Sequence, residues 1–391
     1  METEQLTWQA QQGWQTGVQQ RIDAGLVLYF GANEALQTQS WLSELACLYP
    51  NAHIVGCSTG GQIQSSGVEA TPSGLGIDET GISAVALRFA ATRLQIATES
   101  VTDACQSRLY GEALGRKLLD EGLVAVYILS DGLQVNGSDL VSGLTSVVGQ
   151  SVSVSGGLAG DGARFQETRV GADSPPRPMT IAAIGFYGSA VRFSYGCGGG
   201  WDTFGVSRRI TRSSGNELFE LDGKPALDLY ERYLGEEADG LPGTGLLYPL
   251  KIWHPQFPSN EVVRTVLAIN REARSMTFAG DVPQGSRAQL MRGEFDRLTA
   301  GGAEAARQAA NGHSTQAGQG AVALLVSCIG RKLLMGQRIE DEIRAVAENL
   351  PAGVLHAGFY SYGEIAPHAK SDVCGLHNQT MTVTLISEVL S

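Results

Sequence analysis

The chain has 391 residues, 43% hydrophobic and 17% charged, with a formal net charge of -12. That length exceeds what one hydrophobic core usually supports and the composition is that of a folded protein, so two domains are expected. The acidic excess, with no Lys/Arg cluster longer than a pair, argues against a phosphate backbone as ligand and so against nucleic acid as a partner.

The opening stretch "METEQLTWQAQQGWQTGVQQRIDAG" has neither the basic nor the apolar region of a signal peptide. The longest apolar runs, such as "AVALLV", are too short to span a bilayer, so a cytoplasmic protein without membrane insertion is expected. From Leu26 the pattern reads as a strand, "LVLYF", then a helical stretch with Leu42, Leu45 and Tyr49 on one face, then a second strand, "HIVG", ending in a glycine turn. Residues 123–161 repeat the unit: "LVAVYILSDG", a helix over 138–148, and "VSVSGGLAGD", with Gly156 and Gly160 where Gly56 and Gly60 fall in the first. A third copy lies near the C-terminus. There "AVALLVSCIG" leads to a helix with Ile339, Ile343, Val346, Ala347 and Leu350 on one face, and then to "VLHAGFYS" and another glycine turn.

Between the units lie antiparallel strand patterns: "ISAVALRFA", "TRLQIATES", "TIAAIGFYG", "AVRFSYGC", "SRRITRSS", "EVVRTVLAIN", "SMTFAGDV" and "TMTVTLISEVL". Hairpin-like strands mixed with β-α-β units make an α/β protein of two layered domains, with mixed sheets covered by helices. The polar stretch "TRSSGN", 211–216, is the expected linker, dividing the chain into domains 1–215 and 216–391.

Six cysteines, Cys47, Cys57, Cys105, Cys197, Cys328 and Cys374, show no C-x-x-C pair and read as reduced thiols. "GLAGDG" and "GCGGGWDTFG" miss the dinucleotide fingerprint, and no P-loop motif occurs. Cys57, on a turn leaving a strand, has the position of a nucleophile, but no base partner is identifiable and its counterpart in the third unit is Phe359. A ligand-binding turn is the better reading, and no enzyme activity is expected. Of the histidines, His53 and His356 read as sheet residues, His313 and His368 as solvated loop positions, and His377 as a structural tie at the start of the last strand. His254, in "KIWHPQFPSN", has Trp253, Phe257 and two prolines around it.

Taken together and in this order, "VGCSTGGQI", "AGDVPQG", "SCIGRKLLMGQR", "GFYSYGEIAP" and "LHNQTMTVT" resemble the FIST family of bacterial sensory proteins, from about Leu26 to Ser391. The first motif resembles the FIST N-terminal domain and the others the FIST C-terminal domain. The resemblance implies a small-ligand sensor, for amino acids or similar molecules, that acts on signalling partners. One branch of the family consists of stand-alone haem proteins that sense nitric oxide and regulate histidine kinases or cyclic-di-GMP cyclases and phosphodiesterases. By that resemblance the cofactor is haem b and the partner one of these enzymes; homo-oligomerisation is left open.

The candidate ligand contacts are Cys57, Ser58, Thr59 and Gly60 on the first turn, and Tyr360, Ser361, Tyr362 and Glu364 on the third. His377 and Asn378 at the start of the last strand join them. A haem iron needs a neutral imidazole, an apolar wall and cations for the propionates. His254 is the candidate ligand, with Lys251 and Arg264 near in sequence, and His356 is its alternative.

Overall fold

In a computed structural model, residues 1–17, 21–38, 40–65, 75–313, 320–368 and 373–390 are described, with the side chains of 257–260 set apart. Each of the three repeats forms as its pattern predicts. Strands Leu26–Gly31 and His53–Ser58 pair in parallel, as do Leu123–Ser130 with Ser153–Leu158 and Ala321–Cys328 with Leu355–Ser361. The connecting helices include Ser40–Leu48, Gly137–Val148 and Ile339–Glu348. The first strand of each unit also takes an antiparallel neighbour: Ile82–Arg88, Thr180–Tyr187 and Met381–Glu388 respectively. Each neighbour in turn pairs with one more strand, Glu2–Gln9, Arg93–Ser100 and Val191–Gly198.

Beyond each glycine turn the chain leaves its own sheet. Gln62–Ser65, from the first unit, pairs with Leu355–Ser361 of the third. Gly363–Pro367, from the third, pairs with Ser153–Leu158 of the second, and Val170–Ala172, from the second, pairs with His53–Ser58 of the first. Among the described residues three six-stranded sheets result, joined in a ring by exchanged strands. At the centre three backbone bonds close the ring with the same pattern: Gly60 N–H to Tyr360 O at 2.8 Å, Tyr362 N–H to Leu158 O at 3.1 Å, and Gly160 N–H to Ser58 O at 3.0 Å.

The repeated glycine therefore has a steric cause. A Cβ on Gly56, Gly156 or Gly358 would stand 2.0, 1.9 or 1.9 Å from the carbonyl oxygen of Tyr29, Ile128 or Leu325 in the neighbouring parallel strand. No side chain fits at that separation.

A further sheet, nine-stranded among the described residues, runs from Trp201–Thr203 to Arg287–Gly293. The expected linker at 211–216 is instead the turn region of a hairpin, Arg208–Ser214 against Glu217–Leu221. Its polarity reflects strand Arg208–Ser214, in which Ile210 alone is buried, while Leu218 and Leu221 of the partner strand complete the core contact. Residue 215 falls at the tip of that hairpin, and the three-sheet ring draws strands from both sides of it. The glycine-rich stretch before Trp201 has a packing role. Helix Phe295–Asn311 crosses it so closely that Cβ atoms on Gly196 and Gly198 would lie 1.8 and 2.0 Å from the carbonyl oxygens of Ala305 and Gly301.

Candidate functional site

The exchange of strands buries the turns that the sequence marks as ligand contacts. Cys57 lies in the core with Phe30 and Phe359, and burial pushes its thiol far above the ordinary range, so it is not an exposed nucleophile. Ser58 Oγ accepts the Arg169 N–H at 2.9 Å, and Thr59 Oγ1 donates to Gln62 Oε1 at 3.0 Å while accepting the Gly61 N–H. Tyr360 is fully buried, with the Lys332 ammonium 5.5 Å from its ring centre. The Tyr362 hydroxyl sits between Asp161 and the Gly162 carbonyl. Thr59 and Gly60 reach one cavity, Tyr362 a second and His377 a third, so the ten predicted contacts do not form one site.

The third of these cavities, of about 530 Å³, has the most varied chemistry. Its walls come from five segments distant in sequence: 197–203, the hairpin residues Lys251 and Glu261–Val263, Met291, helix residues Gly301, Glu304 and Gln308, and His368, His377 and Thr380. Trp201, Val262 and Met291 give it an apolar side. Lys251 pairs with Glu261 at 2.6 Å, and Asp202 and Glu304 pair with Arg297 and Arg307. Both signs of charge therefore face the cavity, with carboxylates in excess.

Behind Thr380 lies Glu364, fully buried. Its carboxylate accepts the Thr380 N–H at 3.1 Å, the Thr380 hydroxyl at 2.8 Å and the Ser361 hydroxyl at 2.9 Å. Loss of hydration outweighs those bonds and pushes its pKa up to about 8. The thiol of Cys197, on the cavity wall, is raised by burial to about 12. His377 Nε2 lies 3.0 Å from the Ala366 carbonyl oxygen. A carbonyl only accepts, so Nε2 carries the proton and Nδ1 the lone pair. Burial, with His368 4.4 Å away between ring centres, lowers His377 to about 3, so the ring is neutral.

A buried ion pair braces the far wall. Arg331 donates Nε–H to Glu342 at 2.8 Å and Nη2–H to Leu298 O at 2.8 Å, and its Nη1 bonds the carbonyls of Gln379 and Gly199. Gln379, at φ 62°, reaches away from the cavity to donate to Leu246 O at 2.9 Å. Asn378 is buried with neither amide atom partnered among the described residues.

The candidate iron ligands fare differently. His254 stands at the end of strand Leu250–His254, its Nδ1 accepting the Gln256 N–H at 3.2 Å, and it lines none of the cavities described here. The Phe257 side chain expected beside it lies outside the described residues. Arg264, expected for a propionate, is buried and donates to the Asp281, Val263 and Leu376 carbonyls. His356 is buried in the sheet with both ring nitrogens unpartnered among the described residues, and burial lowers it to about 4. Neither His254 nor His356 meets the requirements of a haem. Among the described residues, His368 and His377 are imidazoles held neutral by burial that face a cavity with an apolar side and a cation.

Sequence reasoning missed Cys197 to Thr203, Glu261 and the helix residues, and read His368 as solvated. The signal available was "GCGGGWDT", a run of small residues ending in an aromatic, which marks close backbone packing beside a recess.

Among the described residues no helix is long and apolar enough to cross a membrane, and no group of three or more His, Cys, Asp or Glu side chains is placed to hold a metal ion. A layered α/β body with a recess of mixed charge is the architecture of a ligand-binding protein. The FIST N domain matches residues 25–224 and the FIST C domain residues 226–367, so the chain belongs to the FIST family, whose domains imply a sensor of small ligands in signal transduction. No curated protein matches the chain.

Proposed function

We propose that the chain senses a small polar ligand of the amino-acid class, bound in the cavity walled by Trp201, Lys251 and His377, and that it regulates a partner histidine kinase or cyclic-di-GMP enzyme. No catalytic step of its own is part of this reading. The observation that carries it is the convergence of five distant segments on one recess with both signs of charge. A zwitterion would exchange into the Lys251–Glu261 pair, its carboxylate on Lys251 and its ammonium among Glu261, Glu304 and Asp202, with Trp201 and Met291 against its side chain. Because ligand contacts would join residues before and after the family boundary at 224–226, occupancy would stabilise one arrangement of the two parts. Calorimetric titration with the twenty amino acids tests the reading. A ligand that binds wild type and is lost in Lys251→Ala and Glu304→Gln supports it; no heat and no shift in melting temperature with any of them sinks it.

Haem b with nitric oxide as the signal is the second reading, favoured by the neutral imidazoles of His368 and His377 on the same cavity. Haem bound there would supply an iron that takes the gas, Lys251 would face a propionate, and Trp201 and Met291 would exclude water from one face. Haem titration followed at the Soret band, with His254→Ala beside His368→Ala and His377→Ala, separates these ligands; a wild type that takes up no haem ends this reading.

A further inference from the structure

On another face, three cavities meet along the loop that carries Gly160 to Phe165. The middle one, about 370 Å³, is walled by Pro242, Leu246, Leu247 and Val266 and has no charged side chain. It shares Phe165 and Leu267 with a cavity of about 430 Å³ on one side, and Ala163 and Leu333 with a cavity of about 610 Å³ on the other. Leu267 and Leu333, the shared leucines, are each 41% exposed, and no described residue covers them. Apolar surface left open in a concave run is unusual on a folded protein and marks a place where something binds.

The two ends carry acid. The smaller end cavity holds Asp139, whose carboxyl is raised by burial and by the neighbouring Asp281. The larger holds Glu34, Glu79, Asp161 and Glu340, against the cations Arg164 and Lys332. Both cations are already paired, Arg164 with Glu34 and Lys332 with Glu79. The track therefore reads acidic, apolar, acidic.

We propose that this track is a docking groove for a segment of a protein partner that has an apolar centre and lysine or arginine residues at both flanks. Charge complementarity selects that occupant: the apolar centre fills the recess beside Leu267 and Leu333, and the flanking cations meet Asp139 at one end and Glu340 at the other. A run of three joined cavities also suits an extended chain better than one compact molecule. The groove goes beyond the sensor reading and stands without it, since it shares no lining residue with the recess of Lys251 and His377.

The test is fluorescence anisotropy of the full chain with a labelled apolar peptide flanked by lysines, beside the same apolar sequence flanked by glutamates. The lysine-flanked peptide is expected to bind, and the glutamate-flanked one to bind about tenfold weaker or less. Leu267→Glu and Leu333→Glu, at half-exposed positions where folding is retained, are each expected to weaken the lysine-flanked peptide about tenfold. Glu340→Lys is expected to weaken it a few-fold. Absence of binding or equal binding of the two peptides overturns the proposal. So does unchanged binding in both leucine variants, which would place the peptide elsewhere on an acidic chain. An apolar dye that occupies the recess in a Leu267-dependent way while the peptide does not would assign it to a small molecule. A concentration-dependent dimer lost in Leu267→Glu, with no peptide binding, would assign it to a second copy; either result replaces the partner segment.

Discussion

Glu364 offers a direct test of the buried network behind the recess. Its folded pKa, about 8, stands above the ordinary 4.5, so the folded state holds a proton that the unfolded state releases. Stability from this group is full below pH 4.5 and is lost as pH rises toward and through 8. A tenfold change in proton affinity is worth about 1.4 kcal/mol, which puts the loss between pH 5 and pH 9 at about 4 kcal/mol. Glu364→Gln removes the ionisation and keeps the shape. The amide oxygen accepts the two Thr380 bonds, and the amide N–H donates to Ser361 Oγ, whose own hydroxyl turns fully to the Ser327 carbonyl 3.3 Å away. Urea midpoints of wild type and variant, measured from pH 5 to pH 9, give a difference profile in which other titrating groups cancel. The variant is expected to gain on wild type across that range by about 4 kcal/mol. A flat difference profile would show that Glu364 is ionised in the fold already at pH 5, and would refute the reasoning.

Four further outcomes are expected. His356→Leu removes a buried imidazole with two unpartnered nitrogens, so it should raise stability at pH 7 by about 1–3 kcal/mol. Because His356 has a folded pKa depressed to about 4, its stability is present above pH 6.5 and lost as pH falls toward 4, and the variant should lose less than wild type in acid melts. Gly56→Ala, Gly156→Ala and Gly358→Ala each force a Cβ against a carbonyl and should cost about 3 kcal/mol or more, or prevent folding, as read by denaturation. Arg331→Met leaves Glu342 buried without its partner and should cost about 3–5 kcal/mol in the same assay, with Glu342→Gln together with Arg331→Met recovering part of it. Iodoacetamide followed by intact mass should modify Cys47 and Cys105 in the folded protein and reach Cys57 only in denaturant.

The three β-α-β units were legible because their strands are continuous apolar runs and their helices carry an apolar stripe; Ile339, Ile343, Val346 and Ala347 are all buried as the spacing requires. The glycine repeat was legible as a repeat, yet its meaning was not. Strands such as Val170–Ala172 and Gln62–Ser65 are too short to show a period, and their partners lie far away in sequence, so turns that read as open ligand contacts are the largely buried centre of a ring. Helix Phe295–Asn311 escaped notice because it packs through Gly302, Ala303, Ala305, Ala306 and Ala309, small residues that carry little hydrophobic signal. The recess itself was invisible for the same kind of reason: Lys251, Glu304 and His368 acquire a common environment only when the hairpin, the helix and the last strands are brought together.

The ring of exchanged strands also governs how the protein can be made. As the chain leaves the ribosome, Gln62–Ser65 emerges long before Leu355–Ser361, the strand it must join. Val191–Gly198 likewise waits for Met381–Glu388. The nascent protein therefore carries open sheet edges until those later strands are made, a state that invites aggregation and a chaperone's attention. A stop codon just ahead of Leu355 should be as damaging as one ahead of Gln62, because Leu355–Ser361 and Met381–Glu388 are what allow the earlier strands to close.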